Sequence, residues 1–119
     1  MTDRTLVTLT DATFEDEVGA SSVPYLVDFF ADWCAPCHAL APILEDFVRE
    51  RTAGLRAGTL DIMESPAIAE RFNVSSVPTL ILFRHGEPVL RLFGSKTTRQ
   101  LATALSPFLG ADGKASATP

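Results

Sequence analysis

The chain has 119 residues, of which 46% are hydrophobic and 21% are charged. This length and composition suit one compact domain that builds its own core. The formal net charge of −5, from 15 acidic and 10 basic residues, argues against broad binding to nucleic acid or to an anionic membrane surface.

The sequence also lacks the usual signals for membranes and export. No apolar run approaches the roughly 20 residues of a membrane span, and Met1–Thr5 lacks the basic-then-apolar layout of a signal peptide. We therefore expect a cytoplasmic protein. In a reducing compartment a lone cysteine pair is more often transient and catalytic than a permanent staple.

The first elements are a strand and a helix. Leu6–Leu9 is a short β-prone run, and Thr10 or Asp11 is placed to cap a helix that follows it. Phe14 and Val18 lie four residues apart, on one face of that helix.

A central strand and a long helix come next. Tyr25–Phe30 is a nearly continuous apolar run, which is typical of a strand covered on both faces, and Asp28 is its polar exception. From Ala35 the apolar spacing becomes helical, and we expect a helix to about Thr52 with a kink at Pro42. The apolar positions of this helix are Leu40, Ile43, Leu44, Phe47 and Val48.

The second half predicts a third strand and a short helix before a hairpin. The strand spans roughly Ala57–Ile62, and a helix over Ala67–Phe72 follows, opened by Ser65 as cap and Pro66 in the first turn.

The hairpin joins Leu80–Phe83 to Val89–Phe93 through His85–Pro88. Thr97 or Thr98 then caps a last helix. Its buried stripe is expected to contain Leu101, Ala104, Leu105, Phe108 and Leu109.

This order predicts an α/β fold with a mixed sheet of about five strands and helices on both faces. We assign residues 1–109 to one domain and residues 110–119 to a short flexible tail. Seven phenylalanines are expected in the core: Phe29, Phe30, Phe47, Phe72, Phe83, Phe93 and Phe108.

Chemistry concentrates where the central strand meets the long helix, at the chain's two cysteines, Cys34 and Cys37. A cysteine at a helix N-terminus meets unpaired N–H groups and the positive end of the helix dipole, which favours the thiolate. A CxxC in this context is typical of a redox pair. A structural staple is one alternative. Zinc is another, but it needs two more ligands, and His38 and His85 are not at ligand spacing.

Asp28 is a second candidate. An ionised carboxylate left dry in an apolar strand costs several kcal/mol, so a raised pKa is expected. The alternative is a side chain that points to solvent.

The chain resembles the thioredoxin family from Leu6 to about Leu109. The matching motifs are Val27-Asp28-Phe29-Phe30-Ala31-Asp32-Trp33-Cys34-Ala35-Pro36-Cys37, Pro42, Val77-Pro78-Thr79, Gly86 and Gly94. A WCxPC after a strand, with Val-Pro-Thr about forty residues later, is a specific combination.

The resemblance implies the thioredoxin fold and roles for three residues. Cys34 is implied to be the attacking thiolate and Cys37 the resolving thiol, with a redox-active disulfide between them. Asp28 corresponds to the family's buried acid that helps to deprotonate the resolving cysteine. Thr59 stands where the family commonly has a lysine, so we expect the pKa of Asp28 to be raised further.

Other site residues are implied around the sulfurs. Trp33, Ala35 and Pro36 border them, although Trp33 is also large enough to be a core residue. The Val77–Pro78 bond is expected to be cis, which leaves the Val77 backbone free to pair with an extended substrate segment. Gly94 is expected near the substrate surface.

His38 follows the pair where the family often has a basic residue, and it is equally compatible with support of the thiolate and with a plain exposed side chain.

The resemblance implies a monomeric protein disulfide reductase that holds no cofactor or metal and binds neither nucleic acid nor membrane. Its implied partners are disulfide-containing proteins and a thioredoxin reductase, an NADPH-dependent flavoprotein that would supply the electrons. Two alternatives stay open: a disulfide oxidase or isomerase on the same fold, and a scaffold or binding module whose thiols are incidental.

Overall fold

The computed structural model describes residues 5–109. Within that range five strands are β1 Leu6–Leu9, β2 Tyr25–Phe30, β3 Arg56–Asp61, β4 Thr79–Arg84 and β5 Glu87–Phe93. The α-helices are α1 Ala35–Arg49, α2 Pro66–Arg71 and α3 Thr98–Leu109, and a π-helical segment spans Glu15–Gly19. The expected tail, residues 110–119, lies outside the described residues, as do residues 1–4 of the expected domain.

The strands form one mixed sheet in the order β1-β3-β2-β4-β5. β3 runs parallel to both β1 and β2, because helical crossovers join these strands. β4 is antiparallel to β2 and to β5. The mixed five-stranded α/β sheet predicted from the sequence is therefore confirmed, and it places β2 at the centre.

Helical elements cover both faces of the sheet. Alternate residues of β2 point to opposite faces, so the strand contributes side chains to both layers. Leu26 lies on the face that packs against α1 and α3, with Leu40, Leu44, Phe47, Leu80, Leu101 and Leu105. Phe29 lies on the other face, against the π-helical segment and α2, with Phe14, Val18, Leu60, Ile68, Ile81 and Phe83. These two layers bury β2 on both sides, as its apolar run predicts.

The β4–β5 hairpin closes through a shorter turn than expected. Only His85 and Gly86 form it, with φ values of 53° and 79°. Two positive φ values are the hallmark of a type I′ turn, which matches the twist of the flanking strands. Glu87 and Pro88 belong to β5 and not to the connection, and the pairing shifts register between Leu82 and Phe83.

Helix boundaries differ from the prediction by a few residues. α1 ends at Arg49, three residues before the expected end at Thr52, and turns follow it through Gly54; α2 begins one residue earlier than expected, at Pro66. The first helical segment is a five-residue π-helix and not an α-helix. Such a boundary depends on which carbonyl each N–H reaches, which apolar spacing does not specify.

The N-terminal caps follow the sequence at one helix and depart from it at another. Thr97 caps α3 as expected, since its Oγ1 accepts from the Gln100 N–H while Gln100 Oε1 accepts from the Thr97 N–H. The side chain of Ser65 makes no cap hydrogen bond to α2. Asp11 does so instead, with its carboxylate accepting from the N–H groups of Ala67 at 3.2 Å and Ile68 at 2.9 Å. The predicted role of Ser65 as a side-chain cap was wrong. Of the two residues predicted to cap the first helical segment, Thr10 does so, since its Oγ1 accepts from the Thr13 N–H at 3.2 Å, whereas Asp11 caps α2.

Two further observations bear on the sequence predictions. Phe93, expected in the core, is 59% exposed, because it is the last residue of the edge strand β5. Among residues 5–109, no helix is both long and apolar enough to cross a membrane.

Candidate active site

The redox motif begins in the loop between β2 and α1, residues 31–34, here called the redox loop, and it ends in the first turn of α1. It lies at the carboxyl end of the central strand. The loop turns at once, since the Cys34 N–H donates to the Ala31 carbonyl at 3.1 Å. Cys34 is the N-cap of α1, with an extended backbone at φ −97° and ψ 108°, and Pro36 lies in the first turn. Cys34 and Cys37 are joined as a disulfide, with their Cα atoms 5.3 Å apart.

The helix start directs a hydrogen-bond donor at the first sulfur. The Cys37 N–H donates to Cys34 Sγ at 3.2 Å. In the reduced protein a donor in this position stabilises negative charge on Cys34 more than on a neutral thiol, and the dipole of α1 acts in the same direction. The geometry therefore supports Cys34 as the sulfur that ionises more readily. The two residues are almost equally buried, at 5% and 3% exposure, so Cys34 is only slightly the more accessible.

A second loop closes over the disulfide from the start of β4. Its Val77–Pro78 peptide bond is cis, as the resemblance implies. Cys34 Sγ lies 3.7 Å from the Val77 carbonyl oxygen, and Val77 packs against a small cluster formed by Ala31 and the two cysteines. An extended polypeptide that paired with the Val77 backbone would lie next to the sulfurs.

Gly94 joins this second loop to the end of β5. Its φ is +82°, and its N–H donates to the Pro78 carbonyl at 2.9 Å. The left-handed φ favours glycine at this position. The structure thus brings Cys34, Cys37, Val77, Pro78 and Gly94 to one end of the sheet.

Asp28 lies on the α1 face of β2, near the end of the strand that leads into the redox loop. It is 2% exposed, and among the described residues its Oδ1 has no hydrogen-bond partner. Desolvation by burial raises its pKa to about 7. In the sheet register it stands opposite Thr59 on β3 and Leu80 on β4, so a hydroxyl and an apolar chain occupy the adjacent positions. The solvent-facing alternative for Asp28 was wrong.

Large apolar side chains remain exposed around the disulfide. Trp33, directly before Cys34, is 69% exposed, and Met63 and Phe93 are also exposed. Met63 follows Ile62, which packs against the cysteine cluster, and Phe93 precedes Gly94. Exposure of Trp33 favours a role at the surface of the site over a role in the core. Sequence reasoning missed Met63 and Phe93, and the signal available for Phe93 was its position at the end of an edge strand, next to Gly94.

His38 makes a contact that the sequence did not predict. Its Nε2 lies 2.7 Å from the carbonyl oxygen of Asp32, the residue before Trp33. The ring therefore contacts the redox loop itself.

The described residues contain no group of three histidine, cysteine or acidic side chains that could hold a metal ion. His85, the chain's other histidine, lies in the β4–β5 turn.

Comparison with known proteins decides the family. The model of the thioredoxin family matches residues 5–107. The chain belongs to the thioredoxin family. Its Cys34–Cys37 pair, held at disulfide distance, is the redox-active centre of a thioredoxin-type protein disulfide reductase that acts by dithiol–disulfide exchange.

Individual thioredoxins align over most of the chain. The thioredoxin of Mycobacterium tuberculosis (strain H37Rv) is 45% identical over 100 residues, which cover 84% of this chain and 86% of that protein. The thioredoxin of Alicyclobacillus acidocaldarius is 40% identical over 103 residues, covering 87% of this chain and 97% of its own. A bifunctional thioredoxin reductase/thioredoxin of Mycobacterium leprae is 43% identical over 100 residues, covering 84% of this chain but 22% of that longer protein.

Proposed function

We propose that this thioredoxin reduces disulfide bonds in proteins with Cys34 as nucleophile and Cys37 as resolving thiol. The observation that carries the assignment is the N–H of Cys37 directed at Cys34 Sγ at the start of α1. Its position favours the thiolate on Cys34, and the thiolate is the attacking form.

The reaction then proceeds in two exchanges. The Cys34 thiolate attacks one sulfur of the substrate disulfide, forming a mixed disulfide and releasing the other sulfur as a thiolate, which takes up a proton. Cys37 loses its proton and attacks Cys34 Sγ, which releases the second substrate thiolate and leaves the Cys34–Cys37 disulfide. Two electrons have passed from the protein dithiol to the substrate.

Asp28 is proposed to accept the Cys37 proton. Support comes from its burial on the α1 face and from its pKa of about 7, which lets it bind and release a proton near neutral pH. A carboxylate with an ordinary pKa would be a weaker base for a thiol.

The remaining predicted residues are proposed to bind the substrate chain. Trp33, Ala35 and Pro36 are exposed beside the disulfide and offer an apolar surface. The Val77 backbone lies next to Cys34 Sγ, so an extended segment that pairs with it gains main-chain hydrogen bonds with little side-chain selection. Pro78 and Gly94, joined by the hydrogen bond from the Gly94 N–H to the Pro78 carbonyl, border the same surface.

The oxidised protein must be reduced again, and we propose a thioredoxin reductase that takes electrons from NADPH. The relative from Mycobacterium leprae supports this, because its name joins a thioredoxin reductase and a thioredoxin in one protein. We further propose that the chain acts in the cytoplasm as a monomer, since a reducing compartment keeps such a pair cycling and one chain supplies every proposed role.

Reduction of insulin by dithiothreitol, followed as precipitation of the freed B chain, tests the assignment. The wild-type protein should accelerate it, and Cys34→Ser should abolish the acceleration. Cys37→Ser should instead accumulate a mixed disulfide with insulin, visible on a non-reducing gel and released by excess dithiothreitol. A trapped adduct on Cys34→Ser and none on Cys37→Ser would reverse the two roles.

A further inference from the structure

The ring of His38 contacts the redox loop through a hydrogen bond. His38 Nε2 lies 2.7 Å from the Asp32 carbonyl oxygen. A carbonyl oxygen can only accept, so Nε2 carries the hydrogen and donates it. The contact is a side-chain hydrogen bond to the peptide group that links Asp32 to Trp33.

This hydrogen bond joins two residues that flank both cysteines in the sequence. It joins the residue just after Cys37 to a residue two positions before Cys34. The backbone N–H of His38 also donates to the Cys34 carbonyl, at 3.3 Å. His38 therefore contacts the loop at two points, one through its backbone and one through its ring.

The Asp32–Trp33 peptide has particular need of such a partner. With 69% of Trp33 exposed, most of the indole surface packs against nothing that would fix it. Asp32 is also exposed. The position of this part of the loop therefore depends mainly on hydrogen bonds to its backbone groups. The bond from the His38 side chain to the Asp32 carbonyl is one of these.

We propose that His38 is a positioning residue for the redox pair, acting through the Asp32–Trp33 peptide. The bond does not involve either sulfur, so it persists when the disulfide opens and keeps Cys37 close to Cys34. Less freedom is then lost when the disulfide closes again. His38 therefore shifts the equilibrium toward the disulfide and makes the dithiol a stronger reductant. The inference rests on the proposed roles of Cys34 and Cys37.

Equilibration with glutathione measures this effect directly. Two glutathione thiols give up two electrons and two protons and become one glutathione disulfide, while Cys34–Cys37 takes them up and becomes two thiols. In His38→Leu, which removes the donor, the equilibrium should move toward the dithiol by about two- to tenfold. His38→Gln should return it to within about twofold of the wild type, because the glutamine Nε2–H donor is the same number of bonds from Cβ.

The glutamine variant separates the hydrogen bond from charge, since it restores a donor without an ionisable group. His85→Asn, in the hairpin turn, is the matched histidine control and should leave the equilibrium unchanged. Denaturant unfolding of the oxidised and reduced forms is measured in parallel. A role confined to stability would lower both forms equally and leave the glutathione equilibrium where it was.

An equilibrium in His38→Leu equal to that of the wild type would overturn the proposal, as would a shift in His38→Gln as large as that in His38→Leu. Insulin reduction is measured on the same samples. Its absence in the wild type overturns the proposed function, whereas the role of His38 is decided by the glutathione equilibrium alone.

Discussion

At the scale of single residues, burial changes the acid–base chemistry of Asp28. It has a pKa of about 7 instead of 3.8, because it is buried on the central strand. Between these two values the folded protein holds a proton that the unfolded chain has released. The free energy of unfolding therefore falls as the pH rises through this window. At a pH above the window, the total loss reaches roughly 4 kcal/mol.

Asp28→Asn should remove this pH dependence. We expect the free energy of unfolding of the variant, relative to wild type, to be greater at about pH 8 than at about pH 5. Denaturant-induced unfolding of the oxidised proteins at the two pH values measures the difference. Asp16→Asn, at an exposed position of the π-helical segment, is the control and should show no such trend. A constant difference would mean that Asp28 ionises in the folded protein as it does in the unfolded chain.

The same substitution should slow the resolving step. If Asp28 accepts the Cys37 proton, the rate at which the second substrate thiolate is released should increase in the wild type as the pH rises through about 7, because Asp28 ionises there. Asp28→Asn should lose this rise and be slower by about tenfold or more at pH ~8. Single-turnover mixing of the reduced proteins with a chromogenic disulfide separates mixed-disulfide formation from its resolution. Formation slowed as much as resolution would assign Asp28 a role other than proton acceptor for Cys37.

At the scale of elements, α2 is held by a residue distant in sequence. The Asp11 carboxylate accepts from two N–H groups of its first turn, and the Asp11 N–H donates to Ser65 Oγ at 3.3 Å. A six-residue helix has little stability of its own, so such a cap contributes a large share of what fixes it. The hydrogen bonds of Asp11 also connect α2 to the loop that follows β1.

Asp11→Ala should lower the free energy of unfolding by about 1–2 kcal/mol, because two N–H groups lose their acceptor and a negative charge leaves the helix N-terminus. Asp11→Asn should lose less, since it retains one side-chain oxygen. Chemical denaturation of the oxidised variants measures both. Asp16→Ala, which removes an exposed carboxylate from the π-helical segment, is the matched control and should change stability little. Equal stability of Asp11→Ala and wild type would show that water replaces the carboxylate without cost.

At the scale of the whole molecule, the sequence predicted those strands and helices that are set by a local pattern of apolar residues. The apolar run of Tyr25–Phe30 predicted a strand covered on both faces, and the change to helical spacing after Ala35 predicted α1. Contacts between distant residues were beyond such patterns, as the bond from Asp11 to α2 illustrates. Phe93 shows the same limit, because its burial depends on which strand forms the edge of the sheet. The cis bond at Pro78 came from the family resemblance, since only about 5–6% of X–Pro bonds are cis.

The direction of the redox reaction can be tested on the stability of the whole molecule. Folding and disulfide formation form a thermodynamic cycle, so the disulfide stabilises the fold to the extent that the folded protein reduces substrates better than its unfolded chain does. For a reductase, the oxidised form should therefore resist denaturant more than the reduced form. For an oxidase the order is reversed, because its reduced form is the stabilised one.

We expect the oxidised protein to have the higher unfolding midpoint and a free energy of unfolding that exceeds that of the reduced protein by about 1–4 kcal/mol. Guanidinium unfolding with and without dithiothreitol measures it. A variant with serine in place of both Cys34 and Cys37 controls for effects of dithiothreitol and should unfold identically in both conditions. A reduced form more stable than the oxidised one would assign the chain to the oxidases on this fold, whatever its rate with insulin, because that sign is a property of the equilibrium and not of the assay.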